Sequence, residues 1–267
     1  MHRVLSHYAA PVDAAALNAL FDLTERTAII TGGTRGIGLA VAHGLAAAGA
    51  NVVVASRKPD ACERAAQQLG QAGAQAIGVP THLGDADAIG QLVEAAVARF
   101  GGVDIVINNA ANALALPFGE ITPAALDKSF AVNLQGPVLL VQAALPHLRR
   151  SGHAAIVNVV SAGAFVFSPA TSMYSAAKAA LVSYTRSMAA ELAPSGIRVN
   201  AIAPGPVDTD MVRNNPPEFI AALRGATLLQ RIADPDEMVG PVLLLVSDAG
   251  SYITGQTIHA DGGMVAR

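Results

Sequence analysis

Seven short runs rich in β-branched residues punctuate this 267-residue chain: TAIIT at 27–31, NVVVA at 51–55, AIGVP at 76–80, VDIVIN at 103–108, AAIVNVV at 154–160, IRVNAIA at 197–203 and QTIHA at 256–260. Alanine-rich stretches of helical length and period separate them. Each run is apolar throughout instead of alternating, the mark of strands covered on both faces. Strand and helix in regular succession make βαβ units, so the pattern predicts an α/β fold with a doubly wound parallel sheet of about seven strands and helices on both faces. No linker, repeat or low-complexity segment divides it. One domain over 23–267 is expected, preceded by an N-terminal extension over 1–22 in which PVDAAALNAL suggests a short helix.

The composition excludes several classes of protein. Apolar residues make up 52 % of the chain, but they are dominated by alanine beside 25 glycines, which suits tight packing of helices on a sheet. No uncharged apolar run reaches the roughly 18 residues of a spanning helix. Asp13 and Asn18 interrupt any signal-like apolar core near the start. A net charge of −3 with dispersed Lys and Arg gives no basic stripe for nucleic acid. The single cysteine, Cys62, excludes an internal disulfide framework, fits a reducing cytoplasm and has no metal-ligand cluster around it. No metal site is expected.

In an open parallel sheet, ligands bind beyond the carboxyl ends of the strands. The residues immediately after each run therefore matter most. After the first comes TGGTRGIG (31–38), whose Gly32, Gly36 and Gly38 allow a tight turn and close approach of a pyrophosphate to a helix N-terminus. After the second come Ser56, Arg57 and Lys58, where an acid would meet a free ribose hydroxyl. With the acid missing and Arg35 in the glycine loop, two guanidiniums suit a 2′-phosphate, so NADP(H) is favoured over NAD(H). NNAANA (108–113) comes after the fourth run, Ser161 after the fifth, and PGPVDT (204–209) after the sixth.

In SMYSAAKAAL (172–181), Tyr174 and Lys178 stand four apart, on one face of a helix. Alone, the pair reads more readily as two stems with wet polar tips than as a proton donor beside a tuning charge. The polar equipment at every strand end on one edge decides for chemistry.

These ordered motifs, with Tyr174 thirteen residues after Ser161 and four before Lys178, resemble the short-chain dehydrogenase/reductase family, a Rossmann-type fold, over roughly residues 23–263. The ending YITGQTIHADGG is similar to the 3-oxoacyl-carrier-protein reductase branch. The resemblance implies that Tyr174 is the catalytic acid/base, that Ser161 holds the substrate oxygen and that Lys178 binds the nicotinamide ribose. Asn133 matches the Asn that orders a water beside Lys178. Gly32, Thr34, Arg35, Gly36, Ile37 and Gly38 match the pyrophosphate loop, Asn109, Ala110 and Ala111 the segment over the adenosine ribose, and Pro204, Gly205, Val207 and Thr209 the nicotinamide contacts. A homotetramer pairing two long helices, near 122–149 and 172–193, is implied too, and the outward faces are expected to carry Ala143, Ala144, Ala180, Val182 and Ala189. Two positions depart from the pattern. Ala111 replaces the usual glycine, so its backbone is expected to avoid positive φ. His82, before Leu83, replaces the usual aspartate at the adenine contact and leaves only main chain there.

The chemistry expected is interconversion of a carbonyl and an alcohol. A tyrosine titrates near 10 unperturbed, so Lys178 is expected to shift Tyr174 down, while Ser161 donates to the same substrate oxygen. Three mostly apolar segments, 112–121, 164–173 and 210–231, should line the substrate pocket, the last as a lid. They favour a hydrophobic ketone, such as a 3-oxoacyl thioester or a ring ketone. Arg213, Arg224 and Arg231 could meet an acidic carrier, or be ordinary surface arginines. Oxidation of a polyol and a non-catalytic NADP(H)-binding regulator remain as alternatives. By the family's patterns, an enoyl reductase would space its Tyr and Lys more widely.

Overall fold

The structure is a computed structural model that describes residues 13–167 and 169–265. The strands fall where the β-branched runs place them: β1 (Thr27–Thr31), β2 (Asn51–Ser56), β3 (Ala76–Pro80), β4 (Ile105–Asn108), β5 (Ala155–Val159), β6 (Arg198–Pro204) and β7 (Thr257–Ala260). They form one seven-stranded sheet in the order β3-β2-β1-β4-β5-β6-β7, parallel at every pairing. The chain runs outward from β1 to β3 and then returns to β4 on β1's other side. That reversal opens a crevice beyond the ends of β1 and β4.

Successive residues of each strand feed opposite cores. Ile30, Val52, Val54, Ile105 and Ile107 pack under α2 (Gly36–Ala47), α3 (Pro59–Gln71) and α10 (Val239–Val246). Their neighbours Ile29, Val53 and Val106 pack under α4 (Ala86–Phe100), α6 (Gly136–Leu148) and α7 (Ser172–Leu192). Side chains alternate across a strand, so a sheet covered twice needs apolar residues at both parities. Each fully buried Val, Leu or Ile contributes about 1.5–3 kcal/mol.

Of the N-terminal extension, residues 1–12 lie outside the described residues. Ala14–Ala19 form α1, with the Asp13 side chain accepting from the Ala16 N–H at 2.8 Å. The helix expected over 122–149 is instead three pieces: α5 (Pro123–Phe130), a wider π-helical turn (Ala131–Gln135), and α6. Pro137 is the physical reason for a break here. It has no N–H to give the Asn133 carbonyl four residues earlier.

The small apolar faces assigned outward on α6 and α7 need correction. Ala144, Val182 and Ala189 are buried against the chain's own core. The large apolar side chains exposed there are Leu139 and Tyr184. The helical period is the expected one, but its phase relative to the sheet is rotated. Among the described residues, no helix is long and apolar enough to cross a membrane.

Candidate active site

The glycine loop joins β1 to α2 at the crevice. Gly32 (φ +66) and Gly36 (φ +52) occupy the left-handed region, where a side chain is strained. A Cβ on Gly38 would run into the Gly32 carbonyl and the Asn109 amide. Asn109 locks this turn from the far side of the switch point, its Nδ2 donating to the carbonyls of Thr31 (2.9 Å) and Gly32 (3.2 Å). Thr31 completes the clamp, since its hydroxyl accepts from the N–H groups of Asn109 (3.0 Å) and Ala110 (3.1 Å). Sequence reasoning missed this role for Thr31, although a hydroxyl at the last strand residue before the glycines is a readable signal. Ala111 has no positive φ, as expected.

A dinucleotide fits this cradle. Helix α2 has neither a side-chain cap at Arg35 nor an acid in its first turn, so the N–H groups of Gly36, Ile37 and Gly38 are left for an anion. Thr34 lies in the same turn. Beyond β2, Arg57 and Lys58 are exposed and form no ion pair among the described residues. The Ser56 carbonyl is fixed by the Thr81 N–H (2.8 Å) and the buried Cys62 thiol (3.3 Å). Burial pushes that thiol above its ordinary value, which suits a packed cysteine. His82 is exposed and turned onto its own loop, its Nδ1 accepting from Gly84 at 3.1 Å, while Leu83 is buried. Arg35 departs from the expected picture: its guanidinium pairs with Asp210 at 2.8 Å.

Ser161, Tyr174 and Lys178 come together at the end of β5. Ser161 begins a short 3-10 turn, its Oγ accepting from the Gly163 N–H at 3.0 Å, and it hydrogen-bonds the Tyr174 hydroxyl. Lys178 is buried, with Nζ donating to the Val159 carbonyl at 2.8 Å and lying 5.8 Å from the Tyr174 ring centre. Burial, with no anion beside it, holds the amine down to about 8. Tyr174 moves the other way from expectation. Burial raises its phenol above the ordinary value, and only the Ser161 hydrogen bond opposes this. The i, i+4 spacing does put Lys178 beneath the ring, but the distance and the Val159 carbonyl blunt its pull.

Asn133 sits in the π turn, fully buried. Its Nδ2 donates to the carbonyls of Asn112 (2.8 Å) and Ser129 (2.9 Å), and its Oδ1 accepts from the Asn112 N–H (3.0 Å). The side chain thus pins the strand-end loop over the site and is not free for a water. Behind it runs a buried relay missed by sequence reasoning: Asn108 donates to Asn158 and Asn158 to Thr185, each at 2.8 Å. It fixes α7, and with it Tyr174 and Lys178, against β4 and β5.

The first two of the three pocket segments meet, and no described residue of the third lines the depression they form. The Leu116 N–H donates to the Ala170 carbonyl (2.8 Å), and Phe118, Val166, Phe167, Pro169, Ser172 and Ser175 line an open depression of about 420 Å³. PGPVDT (204–209) leads into the third segment. Gly205 packs on the Asp261 backbone, Val207 bridges to Ala233, and the Asp208 N–H donates to the Ala233 carbonyl (2.8 Å). It then carries α8 (Asp210–Arg213) and α9 (Pro217–Gly225). Arg213 forks Asp208 at 2.7 and 2.8 Å, and Arg231 forks Glu237 at 2.6 Å twice. Two of the three arginines considered for a carrier are therefore committed within the chain.

A family model described as enoyl-(acyl carrier protein) reductase matches residues 32–265. Human dehydrogenase/reductase SDR family member 4 is 36 % identical over 248 residues, covering 92 % of this chain and 89 % of its own. The chain is a short-chain dehydrogenase/reductase. As such it is an oxidoreductase acting on CH–OH and C=O groups. The cis-4-hydroxycyclohexanecarboxylate dehydrogenase of Sinomonas cyclohexanicum is 38 % identical over 243 residues, 91 % of this chain and 97 % of that one. A solved structure of a putative NAD(P)-dependent gluconate 5-dehydrogenase from Beutenbergia cavernae, with NADP bound at low occupancy, matches with a TM-score of 0.87 at 34 % identity, covering 93 % of this chain and 100 % of the other. Members of this family bind NAD(P).

Proposed function

We propose that this short-chain dehydrogenase/reductase interconverts a hydrophobic ketone and its secondary alcohol with NADP(H). The observation that carries the substrate reading is the depression lined by Ser172 and Ser175, which bracket Tyr174 in the chain, and flanked by Phe118 and Phe167, which are 87 % and 93 % exposed. Large apolar side chains held open to water around a concavity suit an apolar ligand. Of the two kinds of relative, the cyclohexane-ring alcohol dehydrogenase supports this reading better than the gluconate one. The four-residue spacing of Tyr174 and Lys178 supports carbonyl over alkene reduction.

The nicotinamide supplies or accepts the hydride. The protein's part is to orient the carbonyl and handle its proton. Ser161 donates a hydrogen bond to the substrate oxygen. Tyr174, held neutral by burial, gives its proton to the alkoxide as it forms, and takes one back in the reverse direction. Lys178 holds the ribose and stabilises the transient phenolate with its charge. Asn133 keeps the loop at Asn112 in place, and any water it orders is taken by its carbonyl, which lacks its regular helical donor. Gly32 to Gly38 receive the pyrophosphate, while Arg57 and Arg35 favour the 2′-phosphate. A homotetramer is part of the proposal, and light scattering at micromolar concentration tests it.

A panel of cyclic, alkyl and polyhydroxylated carbonyls, monitored by NADPH and NADH absorbance, tests the whole. The expectation is turnover of the apolar ketones, with kcat/KM for NADPH above that for NADH by tenfold or more, since a charged hydrogen bond contributes about 1.5–3 kcal/mol. Ser56→Asp with Arg57→Gln should reverse the ratio. Turnover confined to polyols, or an NADH preference, would sink the proposal.

A further inference from the structure

Arg35 and Asp210 belong to segments 175 residues apart in the chain, yet Nη1 and Oδ2 are 2.8 Å apart. The approach is built into the backbone: a Cβ on Gly36 would stand 3.0 Å from the Thr209 methyl, so the glycine turn and the start of α8 lie against each other. The base of this third segment is closed at Asp208 and Ala233, which fixes Asp210 within reach of the guanidinium. Both side chains remain open to water, 74 % exposed for Arg35 and 50 % for Asp210.

We infer that Asp210 is a determinant of cofactor specificity, because its carboxylate competes with the 2′-phosphate of NADP(H) for Arg35. This rests on the NADP(H) reading above. An exposed single-contact ion pair is a weak and reversible hold. A phosphate monoester at pH 7 carries close to two negative charges and offers more acceptor oxygens. The guanidinium therefore transfers to the phosphate, but the bond to Asp210 must first be given up. NADH makes no claim on Arg35 and leaves the pair intact. The pair thus lowers NADPH affinity alone and holds the preference below what Arg35 and Arg57 could give.

Dissociation constants of NADPH and NADH, read from quenching of protein fluorescence or from enhanced nicotinamide fluorescence, test this without turnover. Asp210→Asn should tighten NADPH about two- to fivefold and leave NADH unchanged. In an Arg35→Gln background the same change should have no effect. Because the pair is exposed, both variants should keep the unmodified thermal midpoint, which is checked first. An Asp210→Asn variant with no gain for NADPH, an equal gain for both cofactors, or a gain that survives Arg35→Gln overturns the competition. If Arg35→Gln leaves the NADPH-to-NADH affinity ratio unchanged, Arg35 does not serve the phosphate, and both this inference and that part of the cofactor reading fall. If Arg35→Gln loses NADPH affinity while Asp210→Asn gains none, the competition alone is overturned.

Discussion

Lys178 donates to the Val159 carbonyl at 2.8 Å and stands 5.8 Å from the centre of the Tyr174 ring. The end of β5 thus anchors the amine whose charge the site uses, and burial with no counter-anion leaves that charge easily lost.

A pH dependence is expected from this amine. Lys178 is held down to about 8 from 10.5, so it carries its charge below that value and loses it above. The NADPH kcat/KM, which reports the free enzyme, should be level from about pH 6 to 7 and fall as pH rises through 8. Stability runs the other way. Between about 8 and 10 the unfolded lysine keeps a proton that the native one releases, so stability rises with pH there. The thermal midpoint of the parent should rise relative to that of Lys178→Met across this window; a constant gap would contradict the lowered value.

Tyr174→Phe keeps the ring and removes the transferable proton. Ketone turnover should fall at least 10²-fold, while NADPH binding, measured by fluorescence, stays within about twofold. A near-normal rate on any ketone that the unmodified enzyme reduces would show that another group delivers the proton.

Gly38→Ala places a methyl against the Gly32 carbonyl and the Asn109 amide, which are backbone and a clamped side chain. Overpacking of this kind costs about 1–3 kcal/mol, or several degrees of midpoint in a chain of this size. NADPH affinity should fall by tenfold or more. Calorimetry and the same titration check both, and an unperturbed variant would mean the cradle is looser than its contacts imply.

Phe118→Ser and Phe167→Ser remove side chains with little burial to lose, 87 % and 93 % exposed. The midpoint should hold while KM for an apolar ketone rises about tenfold, from lost burial of ring surface against the substrate. If KM for a polyol rises equally, the apolar reading of the depression fails.

The strands were legible because burial on both faces demands apolar residues at every position, and few other structures do. Ser161, Tyr174 and Lys178 could be placed together since strand ends and an i, i+4 spacing fix position before any contact is known. The direction of the Tyr174 shift could not, because it depends on depth and on where the Lys178 amine finds its acceptor. The π turn around Asn133 hangs on one missing N–H at Pro137. The phase of Ala144 and Val182 needs the tilt of a helix on its sheet, and Asp210 reaches Arg35 only once segments 175 residues apart have met.

The clamp between Asn109 and Gly32 spans 77 residues and has a bearing on how the chain comes to be folded. On the ribosome, the glycine turn and α2 emerge long before the strand that floors them, and a contact of such separation must wait for loop closure. β1 and β2 can pair early, but the surface that receives a nucleotide exists only after β4 has docked beside β1. Refolding measured by bound-NADPH fluorescence should therefore lag behind refolding measured by helical circular dichroism. The nucleotide pocket is a late product of folding, and a nascent chain halted before residue 109 has no means of holding its cofactor.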